Sequence, residues 1–238
     1  MDQDSRRPAR PVDRRAFLLT GVGLFLAGCT ESTRTADWEP RPVPPAPYYD
    51  PPVARTPSAP ATTPAPGSGP GVISRTKWAS GAPVPTLMDR MKPVRYITVH
   101  HDGMEPFYGN STGATASRLD SIRRAHRGMP QPWGDIGYHF AVDRSGRVWA
   151  CRPVTYQGAH VKNHNEGNIG IVCLGNFERQ SPTPAQLQGL RVQLSVLMTR
   201  YNVPSRNVRT HREWAPTLCP GRQLQPHVVT FRQGGRLA

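Results

Sequence analysis

Towards the C-terminal end of the chain, one stretch combines two residue types that could hold a metal ion. Zinc is readily bound by histidine nitrogen and cysteine sulfur, and the stretch HREWAPTLCPG places His211 and Cys219 eight positions apart. Pro216 between them and Pro220 after them would let the loop fold back on itself. The stretch could equally be a surface turn or contain half of a disulfide, so its spacing alone leaves three interpretations open.

A catalytic zinc uses three protein ligands, so the third would come from another part of the chain. His100 and His101 follow a short run rich in β-formers, RYITV, and a side chain at a strand end can project from the sheet edge. Two histidines in such a place are also common as solvated imidazoles. Cys151 and Cys173 lie in predicted strands. We expect each to be a small buried residue or to pair with the other, rather than with the loop cysteine.

The segments that position these residues alternate between strands and helices. Residues 138–143 and 147–152 flank the turn sequence RSG and predict a hairpin, and the apolar run 168–175 predicts a buried central strand. Apolar residues at helical spacing predict helices over 115–127 and from Thr183 onward. Together they indicate an α/β fold, a single domain with a central mixed β-sheet flanked by helices.

Residues 1–28 predict an export signal. A basic head precedes the 13-residue apolar run 16–28, which fits a signal peptide and is shorter than the about 20 residues that span a bilayer. The run ends in LAGC, which resembles the lipobox of bacterial lipoproteins, so we expect lipidation of Cys29. The preceding RRAFL resembles a twin-arginine signal. The export route stays open, and the alternative is a simple signal peptide with an incidental Cys29.

Residues 29–70 predict a tether. Of the 31 residues from 40 to 70, 12 are proline, with no apolar periodicity between them. Proline fixes φ and lacks an N–H donor, so it favours an extended chain over a packed one. Fully extended, the segment could reach roughly 100 Å at about 3.1 Å per residue. We expect this Pro-rich linker to precede a folded domain of residues 71–238, as a stalk or as a linker without a required reach.

The chain carries a formal net charge of +14. Most of it belongs to residues 71–238, which hold 22 basic and 9 acidic residues, whereas residues 29–70 hold 3 and 4. A strongly positive surface attracts polyanions such as nucleic acid, anionic lipid or acidic wall polymers. Export excludes nucleic acid as a partner, so we expect a membrane-anchored protein that faces the periplasm or the cell wall.

Four motifs follow one another along the domain: YITVHHDG, DIGYHFAVDRSGRVWACRP, GAHVKNHNEGNIGIVCLGNF and HREWAPTLCPG. In this order and spacing they resemble the zinc amidases that include phage lysozyme-type amidases and peptidoglycan recognition proteins. The opening segment ISRTKWASGAP resembles the entry segment of the recognition-protein branch. The resemblance covers residues 72–231, which is essentially the whole folded domain.

The resemblance implies N-acetylmuramoyl-L-alanine amidase activity, which hydrolyses the amide between the lactyl group of muramic acid and L-alanine of the stem peptide. It implies Zn2+ as the cofactor, with His100, His211 and Cys219 as ligands and His101 outside the ligand set. The chemistry is consistent with this, because an unactivated amide needs a strong nucleophile. Zinc supplies one by lowering the pKa of water toward about 7, and it also acts as a Lewis acid.

Two further positions correspond to catalytic residues of the family. Tyr138, the tyrosine of GYHF, would hydrogen-bond the attacking water or the oxyanion. Without the resemblance, a packed sheet aromatic would be the simpler interpretation. Thr217 stands two residues before the cysteine ligand, where phage-type members have lysine and the recognition-protein branch has threonine. Thr217 would therefore contribute a hydrogen bond instead of a charge.

Substrate contacts are also implied by the resemblance. It suggests that His126, His160 and Asn165 face the muramyl-peptide groove. His126 could instead be a solvated imidazole at a helix end, beside several arginines. Asp102 stands where the family commonly has threonine, and its carboxylate could orient an imidazole or have no role.

The expected partners are peptidoglycan or a muropeptide as substrate and a membrane through the anchor at Cys29, with no nucleic acid, and the domain is expected to be a monomer. Two alternatives stay open. One is a non-catalytic muropeptide-binding module of the same fold. The other is a polyanion-binding lipoprotein with a purely structural zinc. Members that lose catalysis typically lose the cysteine ligand, so the presence of Cys219 favours a hydrolase.

Overall fold

A computed structural model describes residues 71–234 of the chain. This range contains all four motifs. The expected signal segment at 1–28, the lipidation site Cys29 and the tether at 29–70 lie outside the described residues.

Within that range the chain forms six strands and three α-helices. The strands are β1 Val72–Ile73, β2 Tyr96–His101, β3 Phe140–Val142, β4 Val148–Ala150, β5 Asn168–Cys173 and β6 Val208–Thr210. The helices are α1 Thr112–Arg127, α2 Pro184–Tyr201 and α3 Gln225–Gln233. Short 3-10 turns occupy Arg75–Lys77, Pro85–Leu87, Ser205–Asn207 and His211–Glu213.

The six strands form one sheet in the order β1-β4-β3-β5-β2-β6. Strands β3 and β4 pair antiparallel, as the predicted hairpin, and the other neighbours pair parallel. The predicted mixed α/β sheet is therefore confirmed. The observed β3 is shorter than predicted, because Tyr138 and His139 precede the strand.

Apolar layers cover the two faces of the sheet. Ile97 and Val99 of β2 pack on one face, in a cluster with Leu194 of α2 and Val228 of α3. A second cluster lies on the α1 side and covers β3, β4 and β5, with Leu119 of α1 among its fully buried members. It takes in no β2 residue. Because side chains alternate along a strand, β2 presents polar side chains there, and the candidate site forms where this apolar layer stops.

Side-chain caps define where the two long helices begin. The Ser111 hydroxyl accepts from the Ala114 N–H at the start of α1, and the Thr183 hydroxyl accepts from the Gln186 N–H at the start of α2. Such caps satisfy N–H groups that have no partner within the helix. Within residues 71–234, no helix combines the length and apolarity needed to cross a bilayer.

Cys151, which follows β4 instead of lying in the predicted strand, and Cys173 of β5 do not pair with each other. Cys151 and Cys173 are both free and buried. Cys151 belongs to the apolar cluster on the α1 side of the sheet, and Cys173 belongs to the cluster on the other side. Of the two expectations for these residues, the structure supports small buried side chains, since the sheet separates them.

Candidate metal centre

Two neighbouring parallel strands bring two of the candidate ligands together. The register pairs Val99 of β2 with Thr210 of β6, so the next residues, His100 and His211, are neighbours at the same sheet edge. Their ring centroids are 4.7 Å apart. Cys219 returns to this edge from the loop before α3. One ligand atom from each of the three residues lies within 4.8 Å of the others.

The distance between the Cys219 sulfur and the His100 imidazole suits a tetrahedral metal ion. Sγ of Cys219 lies 3.6 Å from Nδ1 of His100. Zinc bonds of about 2.3 Å to sulfur and about 2.0 Å to nitrogen, set at a tetrahedral angle, place the two ligand atoms about 3.5 Å apart. Two imidazole nitrogens and one sulfur also form the three-ligand set that leaves a fourth position for water or substrate. The residues therefore fit zinc.

Burial sets the protonation of the three side chains. It lowers the pKa of His100 well below its ordinary value, with the neighbouring His160 and His211 adding to the effect. Burial also lowers the pKa of His211, so both imidazoles are in the neutral form that binds a metal. Burial raises the pKa of the Cys219 thiol to about 12, although the His101 N–H donates to its sulfur at 3.4 Å. Metal binding must therefore release the thiol proton.

The loop that carries two of the candidate ligands is held by polar contacts at both ends. Glu213 closes a capping box by accepting from the Thr210 N–H at 2.8 Å, and it also accepts from Arg232 of α3 at 2.6 Å. Arg212 donates to the carbonyl of Leu218 at 2.8 Å. These contacts fasten the loop on either side of the candidate ligands.

Tyr138 and Thr217 both lie beside the three-ligand cluster. The Tyr138 ring is half-buried, 5.2 Å from the His100 ring. Burial raises the pKa of Tyr138 far above its ordinary value, so its hydroxyl stays protonated and can donate. The Thr217 hydroxyl accepts from the Cys219 N–H at 3.2 Å. This bond uses the oxygen as acceptor and leaves the hydroxyl hydrogen free for another partner.

His126 is packed into the site wall, in contrast to a solvated imidazole. Its ring lies 4.5 Å from the ring of Trp133 and 5.8 Å from that of Tyr138. Nδ1 accepts from the Gly137 N–H at 3.0 Å, and burial lowers the pKa of His126 to about 4. The imidazole is therefore neutral with its proton on Nε2, where it can serve as a donor.

His160 and Asn165 are engaged inside the protein. Nδ1 of His160 lies 3.0 Å from Nε2 of His100, and its Nε2 lies 3.1 Å from the Asn168 carbonyl. The Asn165 carboxamide oxygen accepts from the backbone N–H groups of His160 and Val161, at 2.9 and 2.8 Å. Both were expected at the substrate groove. The structure places the His160 ring on the side of His100 away from Cys219, with Asn165 holding its backbone, and the substrate contacts stay a prediction.

The side chains of His101 and Asp102 face away from the three-ligand cluster. Nδ1 of His101 accepts from the Phe177 N–H at 3.2 Å, and the residue lies outside the three-atom cluster. The Asp102 carboxylate binds Arg118 through both oxygens, at 2.7 and 3.0 Å, and accepts from the Gly175 N–H at 3.0 Å. Its partners are thus a guanidinium and the backbone. Asp102 holds the loop that follows β2 and does not orient an imidazole.

Sequence reasoning missed three residues that are joined to one another by side-chain hydrogen bonds, Thr98, Asn168 and Trp214. Thr98 and Asn168 are fully buried, and Trp214 is half-buried within the loop that carries His211. The one available sequence signal was a tryptophan between two candidate ligands. Nothing in the sequence pattern marked Thr98 or Asn168, because their contacts join residues that are 70 positions apart.

Comparison with known proteins shows that the chain is similar to amidases and to peptidoglycan-recognition proteins. A family model described as N-acetylmuramoyl-L-alanine amidase matches residues 90–222, more than half of the chain. A peptidoglycan-recognition protein of Drosophila simulans is 30% identical over 154 residues, covering 64% of this chain and 82% of that protein. The N-acetylmuramoyl-L-alanine amidase of Homo sapiens is 31% identical over 160 residues, covering 65% of this chain and 27% of that protein.

The fold is shared with solved structures as well. In the structure of tracheal cytotoxin bound to the ectodomain complex of peptidoglycan recognition proteins LCa and LCx, one chain aligns with a TM-score of 0.59 and 26% identity. The alignment covers 67% of this chain and 94% of that chain. The site and the sheet thus define a protein of the amidase and recognition-protein class. The chain belongs to the N-acetylmuramoyl-L-alanine amidase family.

Proposed function

We propose that the protein is a zinc-dependent peptidoglycan hydrolase that cleaves the amide bond between N-acetylmuramic acid and L-alanine of the stem peptide. The observation that carries this proposal is the convergence of His100, His211 and Cys219 within 4.8 Å. Zinc held by these three residues would supply Lewis-acid polarisation of the amide carbonyl and a water of lowered pKa. Membership of the amidase family supports the same reaction.

The protein's own residues would bind and orient the amide. The Tyr138 hydroxyl, kept protonated by burial, would donate a hydrogen bond to the developing oxyanion. The Thr217 hydroxyl, whose oxygen already accepts from the Cys219 N–H, would donate its free hydrogen to the same region. Donors held in place before the reaction stabilise such a charge most effectively. His126 would offer its Nε2–H to the muramyl-peptide.

The substrate class follows from the relatives. The similar recognition-protein complex has tracheal cytotoxin bound, and the family name refers to a muramoyl-alanine bond. We propose peptidoglycan or a released muropeptide as substrate. Incubating the purified full chain with peptidoglycan, with and without EDTA, tests this. Free stem peptides should be released by the untreated protein and by EDTA-treated protein after zinc is added back. The EDTA-treated protein alone should release none. Absence of free peptides in all three samples would contradict hydrolysis.

A binding module is the second candidate function, favoured by the similarity to a recognition protein. Such a module would retain intact muropeptide without release of peptide. Retention of the cysteine in the three-ligand cluster supports the hydrolase over the module. The peptidoglycan digestion separates the two, because a pure binder would pull down peptidoglycan and leave its amide bonds intact.

We further propose that the domain works outside the cytoplasm, on a lipid anchor at Cys29 and a Pro-rich tether. The support is the LAGC sequence after a 13-residue apolar run. In a bacterial host fed radiolabelled palmitate, the wild-type chain should take up label and sediment with membranes, and Cys29→Ala should do neither. Equal labelling of both chains would contradict an anchor at this residue.

A further inference from the structure

A network of hydrogen bonds, buried except at Trp214, runs from the candidate metal loop to His100. The Trp214 indole N–H donates to the Thr98 hydroxyl at 2.9 Å, and the Thr98 hydroxyl lies 2.9 Å from the Asn168 carboxamide oxygen. The Asn168 carbonyl lies 3.1 Å from Nε2 of His160, and Nδ1 of His160 lies 3.0 Å from Nε2 of His100. The chain ends at the imidazole whose Nδ1 faces Cys219.

The hydrogen-bond network allows only one position for the imidazole proton of His160 and one for that of His100. A backbone carbonyl can only accept, so the Asn168 carbonyl requires the proton of His160 on Nε2. A neutral imidazole carries one N–H, so Nδ1 of His160 must accept, and the donor is Nε2–H of His100. Nδ1 of His100 is then left with a bare lone pair on the side of Cys219. This is the tautomer that a metal ligand needs.

Two glycines leave the space that the His160 ring occupies. A Cβ on Gly170 would lie 2.6 Å from Cδ2 of His160, and a Cβ on Gly158 would lie 2.4 Å from the same atom. Both are closer than carbon atoms approach in folded proteins. Gly170 sits in β5, where the ring of His160 rests on the strand. The His160 imidazole therefore occupies a slot that exists only because these two side chains are absent.

Asn168 joins the two parts of the cluster. Its carboxamide oxygen accepts from the Thr98 hydroxyl, which in turn accepts from Trp214 in the loop of His211. Its backbone carbonyl accepts from Nε2 of His160. Its carboxamide N–H also donates to the His164 carbonyl at 2.8 Å. The residue is fully buried, so each of these groups depends on its protein partner in place of water.

We propose that His160 and Asn168 are positioning residues for the metal site. His160 fixes the tautomer and orientation of His100, and Asn168 couples that imidazole to the loop of His211 through Thr98 and Trp214. The proposal rests on the metal site of the proposed function and is independent of whether the metal centre hydrolyses an amide. In this role His160 holds His100 by a hydrogen bond on the side away from the metal, whereas the family resemblance had suggested a substrate contact for His160.

Zinc affinity of the full chain, measured by competition with a chromophoric chelator, tests this role. Loss of a partner behind a metal-binding histidine typically weakens binding by about 10–100-fold, and we expect this for His160→Ala. His160→Gln should recover most of the affinity, because a carboxamide can accept and donate at once. Gly170→Ala should also weaken binding, since it displaces the ring without removing a polar atom. His227→Gln, a histidine change on α3, is the matched control and should match wild type.

A direct readout comes from nitrogen-15 NMR of the metal-free full chain. Wild-type His100 should carry its proton on Nε2, and His160→Ala should show a mixture of tautomers while its circular dichroism stays native. Wild-type zinc affinity in His160→Ala, together with an unchanged His100 tautomer, would overturn the proposal. If wild-type protein binds zinc tightly but releases no stem peptide, the proposed hydrolysis fails while the positioning role is still decided by these two measurements.

Discussion

Sγ of Cys219 lies 3.6 Å from Nδ1 of His100, although 119 positions separate the two residues in the chain. The contact depends on the sheet. Parallel pairing of β2 with β6 brings the strand ends together, and the loop after β6 then folds back over His100. The apolar layer on the α1 side does not extend over β2, so the cluster of polar side chains has room to form there.

Replacing Cys219 with serine separates catalytic from structural zinc. We expect Cys219→Ser to lose bound zinc and to show no release of stem peptide above background, with a melting temperature near that of wild type. The reason is that two apolar clusters, which do not depend on a metal, stabilise the fold. Zinc content, activity and thermal unfolding would be measured on one preparation. Cys151→Ala is the matched control and should keep both zinc and activity. Global unfolding of Cys219→Ser would point to a structural metal.

Removing the Tyr138 hydroxyl should slow the reaction without affecting the metal. Loss of one oxyanion donor typically costs about 10²–10³ in kcat, and we expect Tyr138→Phe to fall in this range. The ring packing on His100 is retained, so zinc affinity should stay at the wild-type value. Tyr201→Phe, at the end of α2, controls for loss of a phenol elsewhere. Wild-type kcat in Tyr138→Phe would remove the tyrosine from the reaction.

Zinc affinity should rise with pH. The Cys219 thiol has a pKa of about 12 in the metal-free protein, so it is protonated at pH 6–8 and must lose its proton on binding. One released proton strengthens the apparent affinity by about tenfold for each pH unit. The pKa values of His100 and His211 are lowered by burial, so these imidazoles contribute little to the slope. Chelator competition from pH 6 to 8 would measure it. A flat profile would mean that the sulfur binds no metal.

A buried ion cluster should contribute far more to the stability of the domain than an exposed ion pair does. The Asp135 carboxylate is fully buried and binds Arg75 and Arg123 at 2.9 and 2.8 Å. Removing one member of a buried pair leaves an uncompensated charge and costs about 3–5 kcal/mol, so we expect Asp135→Ala to lower the free energy of unfolding by that amount. Glu105→Gln, which breaks an exposed pair with Arg179, should change it by less than about 1 kcal/mol. Equal effects in urea titrations would contradict this ranking.

The sheet could be predicted from the residues because strand and helix patterns are local. Strand and helix periodicity is visible one segment at a time. His100, His211 and Cys219 were predicted as a ligand set only from the resemblance of four motifs to a known family, because the spacing of His211 and Cys219 alone left three interpretations open. The position of His160 is different in kind. Its ring orientation depends on two glycines, Gly158 and Gly170, that make space for it from separate segments. Such packing is absent from any single stretch of sequence.

Packing between separate segments also explains why the contacts of Asp102 and His126 were not predicted. A carboxylate beside His100 was a plausible partner for an imidazole, but Arg118 on α1 takes both of its oxygens. His126 stood among arginines at a helix end, yet the ring of Trp133 covers it at 4.5 Å. In both cases a residue outside the local pattern, 16 positions away for Asp102 and 7 for His126, decides the contact. Spacing within the motif therefore carried no information about it.

Mass spectrometry of digested peptidoglycan, with zinc content determined on the same sample of the full chain, tests the central claim most directly. One zinc per chain should accompany products in which the glycan carries free lactyl carboxylates and the released peptides begin with L-alanine. His211→Ala should yield neither zinc nor these products. Tight zinc binding with every muramoyl-alanine bond intact, or cleavage at a different bond, would contradict the assignment of this site as a muramoyl-L-alanine amidase centre.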